Sequence, residues 1–485
     1  MSMQKNIAQL FSDCLPAESI LATKETLRPY ECDALTAYKT LPMAVLLPDS
    51  QQQVVDIVKR CHKENIPIVT RGAGTGLSGG ANPISNGILL NLAKLNAIHE
   101  INPDQQYARV GPGVRNLAIS EAVSQYGLYY APDPSSQIAC TIGGNIAENS
   151  GGVHCLKYGL TIHNILEISF VSYEGEVITT GSSCYDNPGY DILALMTGSE
   201  GMLGVIVEAK VKLLPEPEQS ELVLAAFNDI GDAGEAVASI IASGIIPAGL
   251  EMMDKAVIQA TENFCQPGYP VAAEAILLCE LDGYGATLER QLEQVKSQCE
   301  QHNASVIKTA ANSQEQELLW KGRKSAFPAI GQLAPDYLCM DGTIPRKHLA
   351  YVLQQISYFS EKYDLPVANV FHAGDGNLHP LIMYDANIHG QLERAEQIGS
   401  EILQLCVKVG GTITGEHGVG VEKLNQMCVQ FKRAELDQFE RLKLAFDKQS
   451  LLNPGKVIPT LQRCAEFGAM HVHAGEMPFK DLPRF

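Results

Sequence analysis

The feature of this chain that most constrains its fold is a glycine-rich loop, Arg71–Gly80 (RGAGTGLSGG), which directly follows a predicted strand at Ile66–Thr70. Five of its ten residues are glycines, so backbone N–H groups can converge on an anion without hindrance from side chains. The P-loop lysine is absent, which excludes that nucleotide-binding loop. A plain glycine-rich turn remains the alternative for this loop taken alone.

Two further stretches of small residues favour a cofactor site. They are Thr141–Gly152 (TIGGNIAENSGG), which follows Asp133–Ser136, and Gly198–Ile206 (GSEGMLGVI). Together the three stretches would let the backbone approach one large, flat, phosphorylated cofactor along much of its length. A structural role would have to account for all three at once, so a cofactor is the better interpretation.

These three motifs resemble the FAD-binding motifs of the vanillyl-alcohol-oxidase superfamily of flavoproteins, and the resemblance extends over residues 42–459. It implies that the first loop holds the FAD pyrophosphate, that Thr141–Asn145 flank the flavin, and that Val205 and Ile206 offer backbone hydrogen bonds. Relatives with covalent flavin often carry His in the first loop where this chain has Thr75, so noncovalent FAD is expected. The residues predicted to bind FAD are Arg71, Gly72, Gly74, Thr75, Gly76, Ser78, Gly79, Asp133, Ser136, Thr141, Gly143, Gly144, Asn145, Asn149, Gly152, Glu200, Val205 and Ile206.

The same resemblance implies an α+β fold. It comprises a p-cresol methylhydroxylase-type (PCMH-type) FAD-binding domain of two subdomains and an α+β cap domain built on an antiparallel sheet. The clearest predicted elements are a strand from Ala44 and two helices with apolar periodicity, Ser50–Glu64 and Gln391–Val409. The predicted bounds are 1–40 for an N-terminal helical segment, 41–217 for the FAD-binding domain, 218–455 for the cap domain with the substrate and metal residues, and 456–485 for a tail that packs back or binds a partner.

A second group of motifs begins with Phe371–Pro380 (FHAGDGNLHP). Its Asp375-Gly376 dipeptide predicts a type I′ hairpin turn. With these two residues at the centre of the turn, His372 would lie directly opposite His379, with Cβ atoms about 4.5–5.5 Å apart. Two imidazoles at that distance can share one metal ion. An ordinary cross-strand histidine pair is the alternative.

The segment Thr414–Gly418 (TGEHG) adds a carboxylate, Glu416, beside a third imidazole, His417. Two histidines and one glutamate leave open positions on Zn²⁺ or a similar divalent ion, as catalytic metal sites do. An ordinary turn is the alternative for this segment alone. Both motifs in one chain, beside the flavin motifs, favour a site for a divalent metal, with Zn²⁺ first and Mn²⁺ or Fe²⁺ as alternatives.

Both histidine motifs resemble those of the FAD-linked D-2-hydroxy-acid dehydrogenases, a branch of the same superfamily. The resemblance implies that the metal ligands are His372, His379 and Glu416. It also implies that His417 is the catalytic base, a role that suits an imidazole because its ordinary pKa lies near neutral pH.

An anionic substrate needs a local positive group in this protein. Lys and Arg number 36 against 55 Asp and Glu, a formal net charge of −19, so the surface repels nucleic acid and anionic lipid, and neither is expected as a partner. Trp320–Arg323 resembles the segment whose arginine binds the substrate carboxylate, so Arg323 is the second predicted catalytic residue. Relatives that act on 2-hydroxyglutarate have a lysine in the segment matching Cys339–Pro345, which has none here, so a monocarboxylate is expected.

The resulting hypothesis is FAD-dependent oxidation of a small D-2-hydroxy monocarboxylate, glycolate to glyoxylate or D-lactate to pyruvate. The metal would acidify the substrate hydroxyl, His417 would accept its proton, and hydride would pass to flavin N5. The 13 cysteines include no CxxC pair, so another protein must carry any iron–sulfur cluster. Residues 463–473 resemble the tail of the flavin subunit of glycolate oxidase complexes, which implies an iron–sulfur subunit and a second flavin subunit as partners, or quinone as acceptor.

Three alternatives remain open: a D-lactate dehydrogenase, a transferase of the alkyl-dihydroxyacetone-phosphate synthase type on the same scaffold, and a noncatalytic flavin-binding subunit. The sequence gives no signal for the lipid-facing surface that the transferase needs, and the two histidine motifs argue against a noncatalytic subunit. Neither a signal-peptide-like apolar run nor a segment of membrane-span length is present. Scattered cysteines favour reduced thiols and a cytoplasmic location, with any membrane attachment made through partner subunits.

Overall fold

Four sheets organise the residues that the computed structural model describes, which are 7–184 and 189–459. The first sheet contains the strand that leads into the glycine loop. Its strand order is Ile20–Leu21, Ala44–Leu46, Ile88–Asn91 and Ile68–Arg71. The last three strands are parallel to one another, and the first is antiparallel to its neighbour.

Helix Gln51–Glu64 connects two of the parallel strands and shows why this part of the sequence folds as predicted. The side chain of Ser50 caps it by accepting the N–H of Gln53, and Asn65 ends it with a left-handed φ of 54°. Its buried face consists of Val54, Val55, Ile57, Val58 and Cys61. The crossover places the glycine loop at the carboxyl ends of the parallel strands, where ligands bind in such sheets.

The second sheet is antiparallel and belongs to the same domain. Its strand order is Ile98–Asn102, Tyr107–Val110, Val205–Lys212, Ile165–Val171 and Val177–Gly181. A two-stranded sheet pairs Leu128–Tyr129 with Leu214–Pro215. The helices of this subdomain are Asn116–Val123, Ile142–Glu148, Cys155–Tyr158 and Ile192–Met196. Because helix Ile142–Glu148 packs on strand Val205–Lys212, the second and third glycine-rich stretches lie side by side.

The third large sheet has seven antiparallel strands and carries the histidine motifs. Its strand order is Val306–Thr309, Gln219–Phe227, Ala275–Gly283, Gly249–Asp254, Val367–His372, Pro380–Tyr384 and Asp336–Cys339. Successive residues of strand Gln219–Phe227 point to opposite faces, and both faces are buried under helices. These helices are Ile230–Ala242, Lys255–Cys265, Gly285–Gln301, Ser313–Lys324, Ala326–Ile330, Leu349–Tyr363, Gln391–Lys408, Leu424–Gln430 and Arg433–Phe446.

After the last of these helices the chain returns to the first domain. Leu452 forms a parallel bridge with Ile68, the first residue of the strand before the glycine loop. The side chain of Asn453 donates to the carbonyls of Gly80, at 3.0 Å, and Glu200, at 2.6 Å. These bonds tie the end of the cap sequence to two of the three glycine-rich stretches.

Most of the predicted elements are confirmed, including the strand at Ala44–Leu46 and the two long helices. The prediction of a helical segment over residues 1–40 is wrong for most of its described part, which contains a short strand and only brief helical turns such as Lys24–Leu27. Pro16 and Pro29 prevent a longer helix there because proline lacks the N–H that a helix interior needs. The predicted tail lies mostly in residues 460–485, outside the described residues, and the domain bounds stay predictions.

None of the helices that the structure describes is both long and apolar enough to cross a membrane. Apart from Cys428, the cysteines of the described ranges are free thiols.

Candidate active site

A cavity of about 460 Å³ lies between the two domains and is lined by both groups of sequence motifs. From the FAD-binding domain the predicted residues in its wall are Gly72, Gly74, Thr75, Gly76, Ser136, Thr141, Gly143, Gly144, Asn145, Glu200 and Ile206. From the cap domain they are Arg323, His372, His379, Glu416 and His417. The fold therefore brings the glycine-rich stretches and the histidine cluster to one cavity, of a size usual for small-molecule sites.

The glycine-rich wall fits a phosphorylated cofactor. A Cβ atom on Gly72 would lie 2.1 Å from Thr141 Oγ1, and one on Gly143 would lie 2.7 Å from the Cβ of Pro112. Only glycine allows such close packing, which leaves backbone exposed to the cavity. Thr141 Oγ1 is buried and finds no hydrogen-bond partner among the described residues. A cofactor rich in acceptor oxygens, such as FAD, would satisfy this hydroxyl and the backbone N–H groups.

Seven of the residues predicted to bind FAD do not line the cavity and instead support its wall. They are Arg71, Ser78, Gly79, Asp133, Asn149, Gly152 and Val205. The guanidinium of Arg71 lies beneath Gly74 and donates to the carbonyl of Cys32 at 2.6 Å. Asp133 accepts two hydrogen bonds from His154, one from the backbone at 3.2 Å and one from Nδ1 at 3.0 Å.

The predicted hairpin register is wrong. His372 faces Asn377 across the ladder, not His379. Only Gly376 of the two predicted turn residues has a positive φ, of 81°, whereas a type I′ turn requires it at both. Asp375 instead accepts the N–H of Asn377 through its carboxylate at 3.0 Å, which stabilises a longer loop.

The two histidines nevertheless come together. In the observed register His379 lies two positions beyond the residue directly opposite His372, on the same face of the sheet. Long side chains can make contact across such a diagonal pair. The ring centroids of His372 and His379 are 5.2 Å apart. The prediction that they meet is confirmed, although the geometry proposed for it is not.

Four side-chain atoms from the two histidine motifs converge at the cavity wall. Glu416 Oε1 lies 3.1 Å from His372 Nε2 and 3.0 Å from His379 Nε2. His417 Nε2 lies 3.2 Å from His379 Nε2. Ligand atoms around a tetrahedral Zn²⁺ with bonds of about 2.0–2.1 Å stand about 3.3 Å apart. The two distances from Glu416 Oε1 are close to that spacing, and all three predicted ligand atoms lie within 4.8 Å of one another, so the set fits a divalent ion.

The surroundings of His417 favour its neutral imidazole. Burial, with only partial compensation from the charge of Asp341, lowers the pKa of His417 to about 4. Its Nδ1 is buried without a hydrogen-bond partner in the described part of the chain. At neutral pH the ring is uncharged, so a nitrogen lone pair is available to a proton or to a metal.

The turn that presents Glu416 and His417 is shaped by Asp341, which the sequence analysis did not identify as a site residue. Its Oδ2 accepts the backbone N–H of Gly415 at 3.0 Å and of His417 at 2.9 Å. Burial alone would raise the pKa of Asp341, but the buried ammonium of Lys423, 3.1 Å away, holds it well below its usual value. This ion pair has no access to solvent, so it fixes the turn from behind.

Glu251 is the second site residue that the sequence analysis missed. It is fully buried in strand Gly249–Asp254, where its Oε1 lies 2.7 Å from His372 Nδ1 and its Oε2 accepts Arg323 Nε at 2.8 Å. Burial would raise the pKa of Glu251, but His372 and Arg323 lower it. A glutamate among apolar strand residues was the available signal, since an isolated buried carboxylate is costly.

Arg323 contributes one further group to the cavity. With Nε and Nη2 bound to Glu251, its Nη1 is buried and has no partner within the residues described. A guanidinium donor in that state suits an anionic ligand such as a carboxylate.

A two-domain flavoprotein of the PCMH type is what this fold and cavity define, and comparisons with known proteins agree. Two family models match: the FAD binding domain over residues 42–181 and the FAD linked oxidases, C-terminal domain, over residues 216–457. The 4-ethylphenol oxidase from Gulosibacter chungangensis has the same fold, with a TM-score of 0.80 at 18% identity over 95% of this chain and 98% of that one.

Relatives at the sequence level are closer. The glycolate oxidase subunit GlcD of Escherichia coli K12 is 58% identical over 97% of this chain and 94% of its own length. A D-lactate dehydrogenase of Archaeoglobus fulgidus is 31% identical over 86% of this chain and 91% of its own. The chain belongs to the FAD-linked oxidase family and binds FAD, which confirms the resemblance drawn from its motifs.

Proposed function

We propose that this protein oxidises a small D-2-hydroxy monocarboxylate to the corresponding 2-oxo acid, with glycolate as the first candidate and D-lactate as the second. The observation that carries the proposal is a single cavity that joins the FAD motifs to a buried guanidinium and a convergent imidazole–carboxylate cluster. The names of the two relatives, a glycolate oxidase subunit and a D-lactate dehydrogenase, support the same substrate class.

In this proposal each part of the cavity has one task. Arg323 binds the substrate carboxylate through its unpartnered Nη1, while Glu251 holds the rest of the guanidinium still. His417 accepts the proton of the substrate hydroxyl at a ring nitrogen. Bound FAD supplies the two-electron acceptor. A divalent ion, held by His372, His379 and Glu416, supplies a Lewis acid for the hydroxyl.

The substrate is proposed to carry one carboxylate. The segment Cys339–Pro345 has no lysine, and its acidic residue, Asp341, is fully engaged with the turn and Lys423. One further cation, Lys324, lines the cavity, but its Nζ lies 3.9 Å from Asp133, which offsets its charge. A second substrate carboxylate would therefore compete with Asp133 for its counter-charge.

Electron acceptors outside the chain complete the proposal. The sequence has no CxxC pair, and the E. coli relative is named as a subunit. We therefore propose an iron–sulfur subunit and a second flavin subunit as partners in the cytoplasm, with membrane attachment only through them. Co-expression with candidate neighbours followed by affinity purification tests this point, since recovery of the chain alone in every case would contradict it.

The catalytic proposal is tested by mixing the purified FAD-loaded protein anaerobically with glycolate, D-lactate, L-lactate and D-2-hydroxyglutarate while recording the visible flavin absorbance. Bleaching by glycolate or D-lactate, but not by L-lactate, is expected. The variant His417→Asn should keep its FAD and lose bleaching. Normal bleaching of that variant would contradict the role of His417, and bleaching by D-2-hydroxyglutarate alone would contradict the monocarboxylate assignment.

A further inference from the structure

Glu148 is a titratable residue in the cavity wall to which neither the metal cluster nor substrate binding assigns a task. It ends helix Ile142–Glu148, whose sequence is part of the second glycine-rich stretch. The residue lines the cavity, and its Oε2 is buried without a hydrogen-bond partner in the described ranges. A Cβ atom on Gly80 would lie 2.7 Å from Glu148 Oε1, so the carboxyl group lies against the first glycine loop.

A second carboxyl group, that of Glu200, lies close to Glu148. A Cβ atom on Gly418 would be 2.1 Å from Glu148 Oε2 and 2.8 Å from Glu200 Oε1, so the two groups meet at one point. Glu200 accepts the backbone N–H groups of Val419 at 2.6 Å and Gly420 at 2.7 Å. Two such bonds stabilise the charged form of Glu200, whereas no N–H group of the described residues donates to Glu148.

Glu148 is therefore the neutral member of the pair. Two adjacent buried carboxyl groups cannot both ionise at moderate cost. Burial and the charges of Glu200 and Asp33 raise the pKa of Glu148 well above its usual value, and the ammonium groups of Lys423 and Lys456 offset this only in part. A neutral carboxyl group carries an O–H donor, and a buried donor requires an acceptor.

We propose that Glu148 is a cofactor-binding residue whose neutral carboxyl group donates a hydrogen bond to bound FAD. FAD offers acceptors along its whole length in its phosphate, ribityl and ring oxygens and ring nitrogens. A carboxylate at this position would stand beside a second anion, that of Glu200, so the neutral form is the one that we propose to bind FAD. The proposal rests on FAD binding by the family and is independent of the proposed substrate and metal.

The test compares FAD affinity among variants of the full chain after removal of the flavin, measured by quenching of flavin fluorescence. Glu148→Gln keeps a donor of the same length, and its Kd should stay within about threefold of the wild-type value. Glu148→Ala and Glu148→Met remove the donor, and their Kd should rise about 5- to 30-fold, as expected for the loss of one hydrogen bond. The methionine variant keeps the side-chain volume, so it reports on the donor even if the alanine variant does not fold.

Glu422→Gln serves as the matched control. Glu422 is another buried glutamate with a raised pKa, of about 7, but it lines a different groove. Its variant should bind FAD like wild type. The difference infrared spectrum between FAD-loaded and FAD-free protein should also show a shifted neutral carboxyl band that disappears in Glu148→Gln.

Three outcomes would overturn the proposal: equal loss of affinity in Glu148→Gln and Glu148→Met, no loss in Glu148→Met, or an infrared band that persists in Glu148→Gln. Failure of the wild-type protein itself to take up FAD would instead contradict its FAD binding, so the two kinds of failure are distinguishable.

Discussion

Replacement of Glu251 by glutamine should impair metal binding, although Glu251 does not line the cavity. In the structure the Glu251 carboxylate accepts hydrogen bonds from two side chains at once. Its Oε1 accepts from His372 Nδ1, and its Oε2 accepts from Nε and Nη2 of Arg323. Glutamine has nearly the same shape but only one acceptor atom, and its NH₂ group must point at one of the two partners. The guanidinium of Arg323 carries only donors, so the amide oxygen must face it.

The amide NH₂ would then face His372 Nδ1, which can accept only if the ring proton moves to Nε2. Nε2 is the atom that lies 3.1 Å from Glu416 Oε1, and a protonated Nε2 cannot bind a metal. Loss of a carboxylate behind a metal-bound histidine typically weakens metal binding 10- to 100-fold, so a Zn²⁺ Kd higher by about that factor is expected. Arg323 would also be left buried without a counter-charge, which should cost about 3–5 kcal/mol of unfolding free energy.

Competition with a chromophoric chelator measures the first effect and urea denaturation the second. The control is Asp229→Asn, which neutralises a carboxylate of the same domain at a helix cap that uses Oδ1 as the acceptor, a role that asparagine performs as well. That variant should keep the wild-type affinity for Zn²⁺. A Glu251→Gln protein that binds Zn²⁺ as tightly as wild type would refute the tautomer argument, whatever its stability.

Three further predictions follow from the same contacts. Asp341→Asn removes the nearer counter-charge of the buried Lys423 and leaves Glu422, 3.8 Å away, as the remaining one, so the unfolding free energy should fall by about 3 kcal/mol in urea denaturation; an unchanged midpoint would contradict it. Burial alone would lower the pKa of His154, but Asp133 and Glu280 raise it. The positive charge of His154 therefore stabilises the fold at acidic pH, and this stabilisation is lost as the pH rises through the raised pKa of the folded protein. Because a quarter of the His154 side chain is exposed, His154→Gln should lower the unfolding free energy by about 1–2 kcal/mol at about pH 6 and by less in alkaline buffer. A loss of stability that does not depend on pH would refute the raised pKa of His154. Chelation should leave FAD bound but stop its reduction by glycolate until Zn²⁺ is restored, whereas persistent reduction without metal would contradict the proposed ion.

The parts of the site that the sequence predicts are those encoded by local pattern. Glycine spacing and the strand before it predict the cofactor loop, because backbone access to an anion requires small residues close together in the chain. The pair of histidines at 372 and 379 was also correctly predicted to converge. The register of the hairpin was predicted wrongly, because the Asp375 carboxylate accepts a hydrogen bond from the backbone of its own loop and the turn is two residues longer than expected.

The supporting residues could not be found in this way because their partners are distant in sequence. Glu251 and His372 are separated by 121 residues, and Asp341 and Lys423 by 82. No periodicity or turn preference connects such positions, and only the strand order of the cap sheet makes Gly249–Asp254 the neighbour of Val367–His372. The signal that each residue did carry was a charge placed among apolar neighbours.

The two halves of the cavity are held in register by buried polar contacts at the point where the domains meet. Glu200, from the third glycine-rich stretch, accepts the N–H groups of Val419 and Gly420, which directly follow the turn that carries Glu416 and His417. Apolar packing tolerates sliding, whereas a charged acceptor held by two N–H donors loses energy with each displaced bond. Hydrogen-bond geometry therefore sets the distance between the glycine-rich wall of the cavity and the imidazole cluster. Hydride transfer from a substrate to a bound cofactor requires such a fixed distance.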